Sequence, residues 1–178
     1  MKGIVFTEFN DMVESQFSAD MLDEIIVECE LASDGAYTSV GTYDHHELIQ
    51  MVSKLSEKTN IDADDLVYAF GLHLAKQFSV LFPSFFMSAT NVFDFMRSLD
   101  SHIHVEVKKL YPDADLPKFT FDDSDPRCLI MEYQSSRGFA TLAHGLMKGV
   151  IDYYQESITI KKHHIDGNCH VSFHLIQS

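Results

Sequence analysis

Three polar side chains alternate along one short segment of the chain, Tyr133, Ser135 and Arg137. If this segment is a β-strand, its period of two places a phenol, a hydroxyl and a guanidinium on one face. A guanidinium pairs with two oxygens of a carboxylate or phosphate, and hydroxyl groups can donate to the remaining lone pairs. The alternation therefore predicts a receptor for an anion with several oxygen atoms, although a solvated edge strand would show the same pattern.

His104 is a second candidate, because it follows Ile103 at the edge of an apolar stripe with helical spacing. A histidine in this position is half-buried and can present one ring nitrogen to a cavity. Two interpretations stay open, a ligand for iron or another metal and a structural histidine bonded to a backbone carbonyl. His102 lies about 200° around a regular helix from His104, so the two cannot chelate one metal ion.

The C-terminal segment contains five potential zinc ligands, His163, His164, Cys169, His170 and His174. Zinc accepts histidine and cysteine ligands, but neighbouring residues of a strand point to opposite faces, so only some of these side chains could converge. A solvated hairpin is the simpler interpretation, and zinc binding stays open. No two of the three cysteines have the Cys-x-x-Cys spacing, which excludes a four-cysteine zinc site and a covalently attached c-type haem.

Length and composition narrow the class of protein. The chain has 178 residues, of which 46% are hydrophobic, so we expect one domain with a core large enough to enclose a cofactor. A net charge of −14 argues against duplex nucleic acid or an anionic membrane as a main partner. No apolar run is long enough for a transmembrane helix, and Glu8 and Asp11 come too early for a signal peptide. We therefore expect a cytosolic protein.

The elements that must position these residues change type along the chain. Apolar residues at helical spacing predict amphipathic helices over residues 2–17, 18–29, 44–55, 62–82 and 91–110. Strands are predicted at 118–121, 129–135, 157–163 and 169–176, with a helix at 138–154. Helices followed by an antiparallel sheet with one crossing helix indicate the α+β class, with His104 on a long helix.

Taken together, four parts of the chain resemble the H-NOX family. They are Lys2-Gly3, the run Ile103-His104-Val105-Glu106-Val107-Lys108-Lys109-Leu110-Tyr111-Pro112, Pro117, and Tyr133-x-Ser135-x-Arg137. H-NOX proteins are haem domains that sense nitric oxide or oxygen and are related to the haem domain of soluble guanylate cyclase. The resemblance covers essentially the whole chain and fits a stand-alone bacterial member.

The resemblance implies a b-type haem held between a helical distal part, residues 1–62, and a proximal part, residues 63–178, of a single domain. His104 matches the proximal iron ligand of the family, and Pro117 matches the proline that distorts the porphyrin. Tyr133, Ser135 and Arg137 match the residues that bind the haem propionates, which agrees with the anion receptor predicted above. The apolar candidates for the haem wall are Val5, Phe9, Leu74, Phe78, Leu142 and Leu146, each of which could also be an ordinary core residue.

Two departures from the family pattern matter. Oxygen-binding members carry a distal tyrosine nine residues after the motif tyrosine, where this chain has Leu142, and the other distal position is Leu74. Bound oxygen needs a hydrogen-bond donor and nitric oxide does not, so we expect nitric oxide or carbon monoxide as the ligand. Some bacterial members also hold a structural zinc with several cysteines, but here Phe139 occupies one of those positions.

The function predicted from these residues is a monomeric cytosolic nitric oxide sensor that is not an enzyme. Nitric oxide would weaken the bond between iron and His104, and the helix that carries His104 could then shift. With no room for an output domain, the chain would signal to a sensor histidine kinase or to a cyclic-di-GMP synthase or phosphodiesterase. The alternatives are an oxygen-binding haem protein, a haem enzyme, and a haem-free module that binds a phosphate or carboxylate of a partner.

Overall fold

The structure, a computed structural model, describes residues 1–178 and confirms the α+β class. Its helices are α1 (Gly3–Gln16), α2 (Ala19–Glu28), α3 (His45–Thr59), α4 (Ala63–Leu81), α5 (Pro83–Met87), α6 (Val92–Ser98), α7 (His104–Leu110) and α8 (Ala140–Tyr154). A π-helical turn (Leu99–Ile103) joins α6 to α7. The strands are β1 (Lys118–Asp125), β2 (Cys128–Gln134), β3 (Ile158–Asp166) and β4 (His170–Gln177).

Local capping explains where several of the predicted helices begin. The side chains of Ser18, Asp44, Asp62 and Asn91 each accept a hydrogen bond from a backbone N–H in the first turn of α2, α3, α4 and α6, respectively. These bonds satisfy donors that have no partner inside the helix. Because a cap depends on residues only two or three positions apart, these helix starts were readable from the sequence.

The predicted helix over residues 91–110 is one continuous helical run, but it is not regular. The backbone N–H of His104 bonds to the carbonyl of Leu99, five residues earlier, as in a π-helix. One extra residue is therefore accommodated immediately before His104. Single π-turns inside α-helices are frequent at functional sites, since they change which side chains share a face.

The short helix α5, which begins at Pro83, was not predicted from the sequence.

The four strands form one antiparallel sheet in the order β1-β2-β4-β3. In the register, Tyr133 of β2 lies opposite Phe119 of β1 and Val171 of β4. Every second residue of β2 is buried, which is typical of a sheet with one face toward a core. That face packs with α6 and α8 into a cluster that includes Met96, Met131 and Phe173.

A second cluster of buried apolar side chains unites α1, α2 and α3 with α4 and α8. It includes Leu66, Phe70 and Leu74 of α4 together with Leu142 of α8. Helices α4 and α8 approach closely because Gly71 and Gly145 face each other, and a Cβ atom on either glycine would overlap the backbone of the opposite helix. The division of the chain into a distal and a proximal part after residue 62 stays a prediction. Helix α4 follows that boundary but contributes to this second cluster, which we call the N-terminal cluster.

No helix in residues 1–178 combines the length and the apolar character that crossing a membrane requires.

Candidate functional site

A cavity of about 340 Å³ lies between the two clusters and is lined by 34 residues, of which 26 are hydrophobic. Ten of the eleven haem-site candidates of the sequence prediction line this cavity: Val5, Leu74, Phe78, His104, Pro117, Tyr133, Ser135, Arg137, Leu142 and Leu146. The prediction that Phe9 belongs to the wall was wrong. Its ring is fully buried in the N-terminal cluster, against the ring of Phe70 with the centroids 5.2 Å apart.

His104 is the first residue of α7 and presents its ring to the cavity. Its Nδ1 lies 2.7 Å from Oδ1 of Asp100, four residues earlier. Burial lowers the pKa of the imidazole, and the hydrogen bond to Asp100 opposes this shift in part. A neutral ring whose Nδ1 is engaged by a carboxylate leaves Nε2 as the free lone pair, which is the arrangement of a metal-ligating histidine.

Asp100 is a site residue that the sequence reasoning missed. Its second oxygen, Oδ2, accepts a hydrogen bond of 2.8 Å from the backbone N–H of Phe119 on β1. The carboxylate therefore joins the His104 ring to the sheet and fixes the ring orientation. The spacing of four between Asp100 and His104 was a readable signal, because residues at this spacing are neighbours on a helix surface.

Tyr133 brings a hydroxyl to the cavity from within β2. Its side chain is only 2% exposed and lies between the rings of Phe119 and Phe173, at centroid distances of 5.8 and 6.4 Å. Burial raises the pKa of the phenol, so it is a neutral donor at physiological pH.

Ser135 and Arg137 reach the cavity from a turn, and the prediction that they share a strand face with Tyr133 was wrong. Strand β2 ends at Gln134, and the N–H of Arg137 bonds to Oγ of Ser135, 3.3 Å away. Gly138 follows with a φ of 69°, a left-handed conformation that strand residues do not adopt. The Ser135 hydroxyl thus accepts a backbone N–H that would otherwise be free to continue the hydrogen bonds of the sheet, and the strand ends.

The Arg137 guanidinium is held by the loop between α7 and β1. Its Nη1 donates to the carbonyl of Asp115 at 3.2 Å, and Nη2 lies 3.1 Å from a carboxylate oxygen of the same residue. Pro117 lines the cavity from this loop. The loop is also tied to the N-terminal segment, since the Asp113 carboxylate accepts from Thr42 Oγ1 at 2.6 Å and lies 3.4 Å from Lys2 Nζ.

Helices α4 and α8 supply a wall without polar side chains. The residues of these helices that line the cavity are Leu74, Ala75, Phe78, Leu142, Ala143, Leu146, Met147 and Val150. His73, beside Leu74, points elsewhere, with Nε2 3.3 Å from the Glu8 carboxylate of α1. His144, beside Ala143, packs against the ring of Tyr68 at 5.0 Å. Neither histidine offers a donor to the cavity.

The C-terminal zinc candidates do not converge on one point. His164 Nδ1 bonds to the Gly167 carbonyl, and His170 Nε2 lies 3.1 Å from the Glu132 carboxylate. His163 and His174 form a separate pair with ring centroids 4.7 Å apart. Hydrogen bonds within the hairpin and across the sheet thus keep these side chains in separate pairs.

A family model described as HNOB, Haem-NO-binding, matches residues 2–162. The chain belongs to the H-NOX family. This membership confirms the family suggested by the sequence motifs, and haem is the cofactor for which the family is described. H-NOX proteins are haem-binding gas-sensor domains.

Solved H-NOX structures share the fold over the whole chain. The unliganded Fe(II) protein from K. algicida is 36% identical with a TM-score of 0.95, covering 100% of this chain and 97% of that one. The Shewanella woodyi H-NOX, in its IWP-051-bound Fe(II)CO state, is 40% identical with a TM-score of 0.87 and coverages of 100% and 95%. The S. oneidensis H-NOX in the Fe(II)NO state is 26% identical with a TM-score of 0.92 and coverages of 100% and 99%.

Proposed function

We propose that the protein is a cytoplasmic nitric oxide sensor that holds a b-type haem through His104 and regulates a separate signalling protein without being an enzyme itself. The observation that carries the choice of ligand is the wall formed by α4 and α8. Every residue that these helices contribute to the cavity is apolar, from Leu74 and Phe78 to Leu142 and Leu146.

The side chains around the cavity fit haem. A large apolar lining suits the porphyrin, and His104 Nε2 suits the iron because Nδ1 is already occupied by Asp100. The two propionate carboxylates suit the Arg137 guanidinium and the hydroxyls of Tyr133 and Ser135, which line the same cavity. Pro117 would press on the porphyrin from the loop between α7 and β1.

The apolar wall affects which gas can bind, because it contains no hydrogen-bond donor. Ferrous haem held in this cavity would supply an iron that binds diatomic gases. Oxygen acquires negative charge when bound and is retained only with a donor, whereas nitric oxide and carbon monoxide need none. Since Leu74 and Leu142 offer no donor, the protein should discriminate against oxygen. Two similar H-NOX structures are of the Fe(II)NO and Fe(II)CO states of those proteins, which supports this choice.

Helix α7 is suited to carry the signal away from the cavity. None of its residues is buried, and Val105 and Leu110 expose 44% and 65% of their surface. Few buried contacts mean low local stability, so release of His104 from iron would free α7 to move. In the loop after α7, the ion pair of Asp113 with Lys2 connects such a movement to the N-terminal segment, and that of Asp115 with Arg137 connects it to the turn before α8.

The proposed receiver of the signal is a sensor histidine kinase or a cyclic-di-GMP synthase or phosphodiesterase, contacted by a monomer of this chain. H-NOX domains work with signalling partners, so membership of this family supports a signalling partner for this chain. Activity of each enzyme class, measured with the ferrous protein before and after nitric oxide is added, would decide between these partners.

The test of ligand choice uses the wild-type protein. Reduced protein freed of reductant and exposed to air should show no long-lived oxygen complex, while nitric oxide should give a five-coordinate ferrous spectrum. A stable oxygen complex would contradict the proposal. Leu142→Tyr adds a hydroxyl to the wall and should slow oxygen dissociation, whereas Leu142→Phe adds the ring alone and should not. Spectra without haem bands would instead favour the haem-free binding module.

A further inference from the structure

Residues 44–46 bring three potential metal ligands to one point outside the haem cavity. One ligand atom from each of Asp44, His45 and His46 lies within 4.8 Å of the other two, and this group alone does so in residues 1–178. Asp44 Oδ1 lies 3.4 Å from His45 Nδ1 and 2.8 Å from His46 Nδ1. An ion with bonds of about 2.0–2.1 Å to nitrogen and oxygen spans such separations without backbone movement.

The backbone under these residues is fixed. Thr42 forms a β-bridge with Lys2, the N–H of Tyr43 donates to the Met1 carbonyl at 2.9 Å, and Asp44 caps α3 through the N–H of His46 at 3.0 Å. Folding therefore already orders the backbone of residues 44–46, so metal binding does not have to supply the conformational entropy of ordering it.

The two imidazoles differ in their surroundings. The His45 side chain is 23% exposed, and its ring meets the edge of Phe139 at a centroid distance of 6.0 Å. The His46 side chain is 70% exposed, so its side of the group opens to solvent. A bound ion would thus have protein ligands on one side and room for water on the other.

We propose that Asp44, His45 and His46 bind a divalent transition-metal ion such as Zn²⁺ or Ni²⁺, at a site separate from the haem iron. Two imidazoles and one carboxylate suit ions of this class, whereas Ca²⁺ and Mg²⁺ prefer ligand sets made of oxygen. The Asp44 carboxylate also offsets the partial positive charge at the start of α3, which would otherwise oppose a cation. Phe139 lines the haem cavity and contacts His45, so the metal site adjoins the haem site.

The experiment is a calorimetric titration of the haem-loaded, tag-free protein with ZnCl₂, followed by metal analysis after gel filtration. Asp44→Asn removes the anionic ligand but keeps a good helix cap, and His46→Gln changes an exposed side chain. We expect one Zn²⁺ per wild-type chain and affinity at least about tenfold weaker in each variant. The matched control replaces His163 and His174, the histidine pair on the sheet, with glutamine and should bind like wild type.

Three results would overturn the site. They are a wild-type chain that takes up no Zn²⁺, undiminished affinity in either Asp44→Asn or His46→Gln, or loss of binding in the sheet variant. Each variant should keep its haem spectrum, because none of the four replaced residues lines the haem cavity. Zn²⁺ binding at this site is therefore tested independently of which gas the haem binds.

Discussion

At the scale of single residues, the pair Asp100–His104 sets the chemistry of the site. The carboxylate accepts from the ring at Nδ1 and from the Phe119 N–H, so it both orients the imidazole and strengthens Nε2 as a donor to a metal. The second determinant is Arg137, the one guanidinium that lines the cavity.

Replacing His104 with glycine should abolish haem retention, because the cavity would lose its one imidazole. Imidazole supplied during expression should restore haem binding by occupying the space of the missing ring. The haem absorbance of purified protein measures both effects. His102→Gly, on the exposed side of the same π-turn, should retain haem, and normal haem content in His104→Gly would refute the assignment.

Asp100→Asn should weaken the bond between iron and His104, since an amide is a poorer acceptor for the ring N–H than a carboxylate. We expect a lower iron–histidine stretching frequency in the ferrous protein and faster formation of the five-coordinate state with nitric oxide. Resonance Raman spectroscopy and stopped-flow mixing measure these quantities. Asp123→Asn, which removes a carboxylate from the Arg97 ion pair, is the matched control and should leave both unchanged.

Arg137→Ala should accelerate haem loss. A hydrogen bond between charged groups contributes about 1.5–3 kcal/mol, which corresponds to roughly ten- to hundredfold in rate. Transfer of haem to an apo-globin acceptor measures this rate. Arg127→Ala, in the exposed turn between β1 and β2, should behave like wild type, and an unchanged rate in Arg137→Ala would remove this residue from the site.

At the scale of elements, the close contact of α4 with α8 shapes the apolar wall. Gly145 of α8 packs against the Tyr68 carbonyl and the Cα atom of Gly71 on α4, which brings Leu142 and Leu146 beside Leu74 and Phe78 at the cavity. The shape of the wall thus depends on the close approach of the α4 and α8 backbones at Gly71 and Gly145, where no side chain separates the helices.

Gly145→Ala should destabilise the haem-loaded protein by about 1–3 kcal/mol, because the added methyl group forces α8 away from α4. Denaturant unfolding measures the free energy, and the spectrum of the nitric oxide complex should change with the displaced wall. Lys148→Ala, at a more exposed position of α8, should have a much smaller effect. Equal stability of Gly145→Ala and wild type would mean that the helices can separate at little cost.

At the scale of the molecule, the cavity lies where the two hydrophobic clusters meet. Leu74 and Leu142 belong to the N-terminal cluster, while Met96 and Tyr133 belong to the cluster under the sheet, and all four line the cavity. Haem bound there would contact both clusters, so haem binding and the packing of one cluster on the other would be energetically linked.

Removal of haem should therefore lower the melting temperature. Ligand present at a thousandfold excess over its Kd stabilises the folded state by about 4 kcal/mol. For a chain of this size, that corresponds to roughly 8–16 °C in melting temperature. Calorimetry of holoprotein and apoprotein measures the difference, with His104→Gly expected to melt like the apoprotein. Identical melting of both forms would mean that haem does not join the two clusters.

Helix starts and the motif residues were readable from the sequence because they depend on close neighbours. Ser18 and Asn91 cap helices through bonds to residues three positions later. The spacing around His104 and the Tyr133-x-Ser135-x-Arg137 set pointed to the family without any knowledge of packing, and the family match confirms that inference. Ten of the eleven haem-site candidates lie around one cavity, Phe9 being the exception, and their roles toward haem stay predictions.

Features that depend on distant contacts required the folded chain. The Phe119 N–H of β1 donates to Asp100, and the Arg137 guanidinium donates to the Asp115 carbonyl. These bonds join segments that are distant in the chain, so no local pattern encodes them. The π-turn before His104 was not readable from the apolar spacing either. The same is true of metal ligands. Four histidines and one cysteine near the C-terminus suggested a site but are separated by the sheet register. Asp44, His45 and His46 converge instead, because the β-bridge and the cap of α3 fix their backbone.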